Sequence, residues 1–420
     1  MSEVVKEISK CRMCGNSNLV SIVDLGDQCL TGIFPNTREQ NITSGPLELV
    51  KCLGTGASTS CGLVQLRHSY DKDEMYGENY GYHSSLNSSM VAHLRGIAEF
   101  CVRLAKLRPG DAIVDIGSND GTLLNMYPAD LTLIGIDPTI KKFQASYRPH
   151  IEKIADFFPS DSVTKRFDIQ KAKVVTSIAM FYDLDTPVDF INRVVEILDD
   201  EGIWVSEQSY LPAMLEMNAY DTICHEHLEY YSLTPLKWAF DKSDLKIVDI
   251  EFNNTNGGSF RVAAAKRTSK YAEVINLVRE TLGRELINGL ETVKPFIAFK
   301  EKLVKHRSDL LFLLQQIKSQ GKKVIGYGAS TKGNVMLQYC GITEKELPYI
   351  AEVNEDKFGK FTPRTLIPII SEEEARAMNP DFLLVLPWHF KENFVEKEAN
   401  FLKKGGRLIF PLPEIEVVGS

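Results

Sequence analysis

The ten residues AIVDIGSNDG (112–121) decide the fold of the central part of the chain. An apolar run ends in Asp115, and a polar turn with two glycines then leads into the helix-like stretch TLLNM. This order predicts a buried strand, a ligand-accepting turn and a helix. Gly117 permits the tight turn, and Gly121 permits close approach of a ligand to the backbone.

Similar apolar runs surround this stretch, namely LTLIGID (131–137), KVVTSIAM (173–180) and GIWVSEQ (202–208). Helical patterns lie between several of them, and such alternation predicts a parallel α/β sheet. A helix-patterned region follows at 270–319, where Pro295 should separate two helices. The strand–turn–helix pattern then returns in KKVIGYGAS, PYIAEVN, DFLLVLP and RLIFPLP. We therefore expect a second α/β sheet near the end of the chain.

The composition is that of a globular protein of several domains. The chain has 420 residues, of which 44% are hydrophobic and 25% charged, and its net charge is −8. No cluster of Lys or Arg indicates a nucleic-acid surface, and no apolar run approaches the roughly 20 residues that span a membrane. The start of the chain has no apolar signal-peptide core. We expect a cytoplasmic protein whose cysteines are thiols or metal ligands.

Four cysteines form two pairs in the first part of the chain. Cys11 and Cys14 have the two-residue spacing of a zinc knuckle, whereas eight residues separate Cys52 from Cys61. Four thiolates suit a tetrahedral structural zinc, which would fold a small loop-rich module. The alternatives are ordinary buried thiols at Cys52 and Cys61, or a redox pair.

Carboxylates follow the predicted strands at positions that suit a nucleoside ligand. Asp115 can meet an ammonium group, Asp137 can accept both ribose hydroxyls, and Asp156 with Phe157 would flank an adenine. This arrangement matches the first two motifs of class I methyltransferases and predicts S-adenosylmethionine. A fold that binds NAD, or no ligand, is the alternative. The predicted cofactor residues are Asp115, Gly117, Asn119, Asp120, Gly121, Asp137, Pro138, Asp156 and Phe157.

The segment YDTICHEHLEYY (220–231) concentrates titratable side chains. His225 and His227 are two residues apart, so they lack the four-residue spacing of the HExxH zinc-protease motif. Two imidazoles with Glu226 suit proton transfer near neutral pH. A hydrogen-bonded structural cluster or a second metal site remains open.

Two other segments supply candidate contacts. Tyr76, Tyr80 and Tyr82 could donate hydrogen bonds to an oxyanion, or could form an aromatic patch that closes the cofactor site. Asn256 and Arg261 belong to NGGSFR, a predicted turn and strand that could contact substrate or could simply form a hairpin.

A glycine motif, GYGASTKGN (326–334), opens the second α/β unit. Its backbone amides and its helix N-terminus could receive phosphate, Lys332 could add a cation, and Glu352 could reach a ribose. A purely structural loop is the alternative. The predicted substrate residues of this unit are Tyr327, Ser330, Lys332, Asn334 and Glu352.

Across nearly its whole length, the chain resembles the sugar C-methyltransferases of deoxysugar biosynthesis. The motifs that carry the resemblance are CRMCGN, CGLVQL, DIGSNDG, EQSY, HEHLEYYSL, NGGSFRV, GYGASTKGN and LPWHF. The resemblance implies a zinc module (1–70), a Rossmann-like class I methyltransferase domain (71–268) and a C-terminal Rossmann-like α/β domain (269–420). It also implies a dTDP- or GDP-linked keto sugar as substrate, with its nucleotide held by the C-terminal domain.

The resemblance implies that His227 is the base that forms an enolate, with Glu226 beside it. His225, Tyr76, Tyr80, Tyr82 or Tyr230 would stabilise the enolate oxygen. The chain departs from better-known relatives at Cys224, where they have Tyr, and in its second cysteine pair, where they have CxxC. The alternatives are an O- or N-methyltransferase acting on another small molecule, and a zinc-ribbon methyltransferase that modifies RNA. The oligomeric state stays open.

Overall fold

The structure, a computed structural model, describes residues 5–54, 60–71, 74–75, 83–168 and 170–419. In chain order its strands are β1 (Val5–Glu7), β2 (Leu19–Cys29), β3 (Ser44–Cys52), β4 (Val64–Leu66), β5 (His68–Tyr70), β6 (Ala112–Ile116), β7 (Thr132–Ile136), β8 (Glu152–Ile154), β9 (Ala172–Ile178), β10 (Leu198–Ser209), β11 (Glu229–Tyr230), β12 (Leu245–Asn253), β13 (Ser259–Lys266), β14 (Val324–Tyr327), β15 (Ile350–Glu352), β16 (Ile369–Ser371), β17 (Phe382–Val385), β18 (Arg407–Phe410) and β19 (Glu416–Val418). Its α-helices are α1 (Ser88–Ala105), α2 (Ile140–Phe143), α3 (Asp161–Lys165), α4 (Pro187–Ile197), α5 (Leu211–Glu216), α6 (Leu233–Lys242), α7 (Ile275–Ile287), α8 (Lys294–Ser319), α9 (Thr331–Cys340), α10 (Glu372–Ala377), α11 (Lys391–Lys397) and α12 (Ala399–Lys403).

The central sheet has seven strands in the order β12-β13-β10-β9-β6-β7-β8. The strands from β10 to β8 are parallel, and β13 runs antiparallel to both of its neighbours. Successive residues of β6 enter different apolar clusters, since Ile113 packs with α1 and Val114 packs with α4 and α6. Burial on both faces explains why this strand is an unbroken apolar run. The predicted central Rossmann-like sheet is confirmed.

The N-terminal module is built on an antiparallel sheet in the order β11-β4-β3-β2. Its edge strand β11 comes from the residues that follow the HEH motif, and Tyr230 pairs with Val64 of β4. The small ribbon of β1 and β5 lies beside this sheet. Strand pairing therefore joins the N-terminal module directly to the HEH segment.

The C-terminal sheet has the order β16-β15-β14-β17-β18-β19, and all strands are parallel except the edge strand β19. Pro295 lies in the first turn of α8, so the predicted division of the helical region into two helices is confirmed. Helix α8 packs against both β2 and β14. One apolar core therefore runs from the N-terminal sheet into the C-terminal sheet. Among the described residues, no helix combines the length and apolarity needed to cross a bilayer.

Candidate active site

The predicted glycine turn is held by the carboxylate that ends β7. The Asp137 carboxylate accepts hydrogen bonds from the backbone N–H of Asn119 at 2.9 Å and from that of Thr139 at 2.7 Å. Asn119 has a φ of +51°, a left-handed conformation that Asn tolerates better than most residues. Asp137 thus fixes the turn between β6 and the residues that follow it.

Both glycines of the turn have positive φ, and in each case a side chain fills the space beside Cα. A Cβ on Gly117 would lie 2.8 Å from Met180 Cγ, and one on Gly121 would lie 2.6 Å from Tyr147 Cδ1. Only glycine therefore fits at either position. The sequence suggested that Gly121 lets a ligand approach the backbone closely. In the structure the Tyr147 ring makes this close approach.

Asp115 ends its strand in a buried position and accepts a hydrogen bond from Thr176 Oγ1 at 2.6 Å. Burial raises its pKa to about 7, although the Thr176 bond opposes this shift. An ammonium group nearby would favour the charged carboxylate. The environment of Asp115 therefore suits a cationic ligand.

The residues after His83 lie across the glycine turn. The backbone N–H of Ser84 donates to Asn119 Oδ1 at 3.1 Å, and that of Ser85 donates to Asp120 Oδ2 at 2.9 Å. These bonds engage the side chains of two predicted cofactor residues. They connect the turn to the segment that precedes α1.

The end of β8 presents the third part of the predicted cofactor site. Asp156 accepts hydrogen bonds from the backbone N–H of Phe157 at 2.8 Å and from Ser160 Oγ at 3.0 Å. Phe157 is 39% exposed, an unusual state for so large an apolar side chain. Such a ring can pack against a planar base. Together with Asp115 and Asp137, these groups suit the adenine, ammonium and ribose parts of S-adenosylmethionine.

The four predicted zinc ligands lie close together, although eight residues separate the two cysteines of the second pair. The Sγ atoms of Cys11 and Cys61 are 3.5 Å apart, those of Cys14 and Cys52 are 3.5 Å apart, and all four lie within 4.8 Å of one another. Zn–S bonds of about 2.3 Å in a tetrahedron place sulfur atoms about 3.8 Å apart. The donor set therefore fits a closed, structural zinc site.

His227 has the geometry of a base. Its Nδ1 lies 2.8 Å from the Thr222 carbonyl oxygen, so Nδ1 carries the proton that it donates, and Nε2 keeps its lone pair. The ring packs edge-on against Tyr182, with centroids 4.4 Å apart. Burial lowers the pKa of His227 to about 4, and the charge of Lys332 acts in the same direction. The imidazole is therefore neutral at neutral pH.

A small cavity adjoins this imidazole at the carboxyl end of β10. It is lined by Tyr182, Ser209, Leu211, Met214, Thr222, His227, Glu229 and Tyr230. The Tyr230 hydroxyl donates to the same Thr222 carbonyl at 3.4 Å. Tyr76, Tyr80 and Tyr82 lie outside the described residues.

His225 points away from this cavity, into the N-terminal module. Its Nε2 donates to the Gln28 carbonyl at 3.1 Å, and its ring meets the edge of Tyr70, with centroids 4.6 Å apart. The side chain is fully buried in this position. Its location does not support the prediction that His225 stabilises an enolate oxygen, because its contacts are with packing residues of another sheet.

Glu226 occupies the junction of the three parts of the chain. A Cβ on Gly32 would lie 2.5 Å from Glu226 Oε1 and 3.9 Å from Thr331 Oγ1, so residues from three distant parts of the chain come close together at Gly32. Burial raises the pKa of Glu226 to about 7. Glu226 therefore changes charge near neutral pH, next in sequence to the candidate base.

The C-terminal glycine motif repeats the geometry of the first one. Glu352, at the end of β15, accepts a hydrogen bond from the backbone N–H of Ala329 at 2.9 Å, as Asp137 does from Asn119. Ser330 caps α9 by accepting from the Gly333 N–H at 3.0 Å. Both predicted side chains therefore shape the loop itself.

Tyr327 and Asn334 are engaged by other parts of the protein. The Tyr327 hydroxyl donates to Glu398 Oε1 at 2.8 Å, in the layer that covers one face of the C-terminal sheet. The buried Asn334 side chain donates to the Thr31 carbonyl at 2.8 Å and so ties α9 to the N-terminal module. Both positions support structural roles, in contrast to the predicted substrate contacts.

Arg261 is likewise engaged within the central domain. Its guanidinium pairs with Glu251 on the neighbouring strand and lies 4.0 Å from the ring centre of Phe100 in α1. The side chain is buried beneath that helix. This location does not support the predicted contact with substrate.

Lys332 and Asn256 were predicted separately as substrate residues, and in the structure they contact each other. Lys332 Nζ donates to the Asn256 carbonyl at 2.9 Å, which connects the C-terminal domain to the turn before β13. Nearby, Trp388 Nε1 donates to Asp221 Oδ2 at 2.7 Å. Asp221 and Trp388 were missed as site residues, although both belong to stretches, YDTICHEH and LPWHF, whose residue types stood out in the sequence. Tyr182 was missed because only its position after β9 could have indicated it.

Three family models match successive parts of the chain. They are described as "Putative zinc binding domain" (residues 11–76), "Methyltransferase domain" (90–250) and "C-methyltransferase C-terminal domain" (254–413).

Similarity to a single protein extends over the full length. The chain is 30% identical to C-methyltransferase NovU of Streptomyces niveus over 426 residues, which cover 100% of this chain and 99% of that protein. Among solved structures, plantazolicin methyltransferase BpumL in complex with a triazolic desmethylPZN analog and SAH is 12% identical, with a TM-score of 0.36, over 47% of this chain and 92% of that one. The CcbJ methyltransferase from Streptomyces caelestis is 14% identical, with a TM-score of 0.33, over 41% and 89%. The full-length match shows that the chain belongs to the C-methyltransferase family, whose members use S-adenosylmethionine as methyl donor.

Proposed function

We propose that the enzyme methylates a carbon atom beside the ketone of a dTDP- or GDP-linked keto sugar. The observation that carries this proposal is the tautomer of His227, whose Nδ1 donates to the Thr222 carbonyl. The lone pair of Nε2 is then available to a C–H bond that a neighbouring ketone has made acidic. A neutral amine would not need such a base, whereas an alcohol or an ammonium group would use it as well, so the product analysis below decides between a carbon and a heteroatom acceptor.

Each group in the site has a role in this scheme. Asp115, Asp137 and Phe157 would hold S-adenosylmethionine, which supplies an electrophilic methyl group when it is bound. His227 would remove the α proton, and Glu226, the preceding residue in sequence, is the carboxylate that we propose to favour the imidazolium by Coulomb attraction. The resulting enolate carbon is the nucleophile. Tyr76, Tyr80, Tyr82 and Tyr230 remain candidate hydrogen-bond donors to substrate.

The C-terminal domain would hold the nucleotide of the substrate. The glycine loop after β14, fixed by Glu352 and capped by Ser330, supports this role because it has the same construction as the first glycine turn. Binding energy from a remote nucleotide can position the sugar carbon beside the base. We propose domain limits of 1–70, 71–268 and 269–420, in which case HEH lies where all three meet.

A panel of nucleotide sugars tests the proposal. The enzyme is incubated with methyl-labelled S-adenosylmethionine and dTDP- or GDP-linked 4-keto sugars, and the products are examined by mass spectrometry and NMR. We expect a new carbon–carbon bond beside the ketone. Label attached to oxygen or nitrogen, or transferred only to RNA, would replace the proposal with one of its alternatives.

A further inference from the structure

The resemblance led us to expect a hydrogen-bond donor at position 224 of the active site, and Cys224 does not supply a good one. The resemblance implies a tyrosine hydroxyl at this position, whereas the Cys224 thiol is almost completely buried. Burial raises its pKa well above the usual value, so the thiol stays neutral. A neutral thiol is a weak hydrogen-bond donor. Stabilisation of an enolate oxygen therefore needs another group.

The tertiary structure brings the cationic side chain of Lys332 to the segment that contains Cys224. Helix α9, which carries it, packs against the single 3-10 turn Tyr220–Thr222 that precedes Cys224. The Lys332 ammonium donates to the Asn256 carbonyl at 2.9 Å. Among the described residues, no carboxylate forms an ion pair with it. It therefore has further N–H groups to offer.

Buried polar atoms near Lys332 also lack partners. Asp221 is 1% exposed, and Trp388 Nε1 binds only its Oδ2, so that Oδ1 has no hydrogen-bond partner in the part of the chain that the structure describes. His389 Nδ1 is also buried and has no hydrogen-bond partner among the described residues. The Asp221 carboxylate opposes the lowering of the Lys332 pKa that burial causes, and the pKa of His227 is lowered first by burial and then by the charge of Lys332. These charge effects act over several ångströms, and they agree with the packing of α9 against the turn Tyr220–Thr222.

A buried polar atom without a protein partner needs another polar group, and a polar group of a substrate beside an ammonium with further N–H groups is one that fits. We propose that the Lys332 ammonium stabilises the enolate oxygen of the substrate, in place of the absent hydroxyl at position 224, with the Asn256 carbonyl keeping the lysine oriented. This inference rests on the proposed function and deepens it. It gives Lys332 a different role from the phosphate contact that its glycine motif suggested.

The charge movement explains why a cation is useful here. When His227 Nε2 takes the α proton, the C–H electron pair forms a carbon–carbon double bond, and the carbonyl π electrons move to the oxygen. The oxygen gains a negative charge, and the imidazole gains a positive one. A fixed ammonium beside that oxygen interacts more strongly with the enolate than with the ketone, which is the condition for catalysis.

Three measurements on Lys332→Met and Lys332→Arg test the proposal, with exposed Lys345→Met as the matched control. They are kcat and KM for methyl transfer, incorporation of deuterium at the α carbon in D2O with S-adenosylhomocysteine bound, and the Kd of free dTDP or GDP. For Lys332→Met we expect kcat and the deuterium exchange rate to fall by about 10²- to 10³-fold, with nucleotide affinity unchanged. Lys332→Arg should keep a measurable share of both rates, because it keeps the charge, and Lys345→Met should behave as wild type.

A weakened nucleotide Kd with wild-type kcat and exchange in Lys332→Met would show that the lysine holds phosphate and would overturn the proposal. Circular dichroism of both variants checks folding, and a folded Lys332→Arg that is as inactive as Lys332→Met would also count against a role of the charge. If the wild-type enzyme neither exchanges the α proton nor methylates a keto sugar, the proposed function itself fails. If instead the wild type is active and Lys332→Met is equally active, the proposal for Lys332 fails and the proposed function stands.

Discussion

At the scale of single residues, the mechanism that we propose depends on which nitrogen of His227 is protonated. The Thr222 carbonyl can only accept, so it selects the tautomer with Nε2 unprotonated. His225 makes a bond of the same kind with the Gln28 carbonyl, but through its other nitrogen and in another sheet. Two histidines with one residue between them therefore have different surroundings and, we propose, different roles.

Replacement of His227 tests the base directly. His227→Asn removes the proton acceptor, so we expect methyl transfer to fall by about 10²- to 10⁴-fold, whereas S-adenosylmethionine binding, measured by calorimetry, should persist. His150→Asn, at an exposed position, is the control. Near-normal turnover of His227→Asn would remove this residue as the base.

The pH profile separates His227 from Glu226. Burial raises the pKa of Glu226 to about 7 and lowers that of His227 to about 4. We expect kcat/KM of the wild type to fall as the pH drops through about 7, because Glu226 then loses its charge. In Glu226→Gln this step should be absent and kcat/KM flat between about pH 5 and 8, since His227 stays neutral there. A fall near pH 6.5 in that variant would indicate a histidine with an ordinary pKa.

At the scale of elements, the same arrangement of a glycine loop and a carboxylate occurs twice in the chain. A glycine loop follows the first strand of each Rossmann-like unit, and a carboxylate at the end of the neighbouring strand accepts from a backbone N–H of that loop. Asp137 and Glu352 therefore shape their loops whether or not a ligand is bound. The carboxyl ends of parallel strands lie at one edge of a sheet, so each loop and its carboxylate are positioned together.

Asp137→Ala tests the first of these loops. The variant loses the proposed bonds to ribose and those to the turn, so the Kd of S-adenosylmethionine should rise by about 10- to 100-fold in calorimetry. Asp130→Ala, exposed at the opposite end of the same strand, should leave the Kd unchanged. An unaltered affinity in Asp137→Ala would contradict the ribose assignment.

At the scale of the whole molecule, the HEH segment is shaped by all three parts of the chain. Strand β11, just after it, pairs with β4 of the zinc module, and α9 of the C-terminal domain packs against the turn just before it. Arg12, between the first two zinc ligands, donates to Gln65 of the strand that β11 joins. The zinc module is therefore joined to the segment that we propose as the active site, although its cysteines take no part in the chemistry that we propose.

Loss of a zinc ligand tests whether this module holds a structural metal. In Cys52→Ser we expect zinc content, measured by plasma mass spectrometry, to fall from about one ion per chain, and the melting temperature to drop by about 5 °C or more. Cys29→Ser, whose thiol lies outside the cluster, should keep both values. Equal zinc content and melting temperature in the two variants would show that the four cysteines do not hold a structural metal.

Sequence alone was sufficient for most strands of the two α/β sheets, the two glycine loops, the division of the helical region at Pro295 and the four converging cysteines. These features follow from local periodicity, from turn chemistry and from the few residue types that bind zinc. Only the tertiary structure decided the directions of His225 and His227 and the contact of Lys332 with Asn256. It also decided that Arg261, Tyr327 and Asn334 are engaged by protein partners. Their partners lie in distant segments, and no local pattern states which segments will pack together.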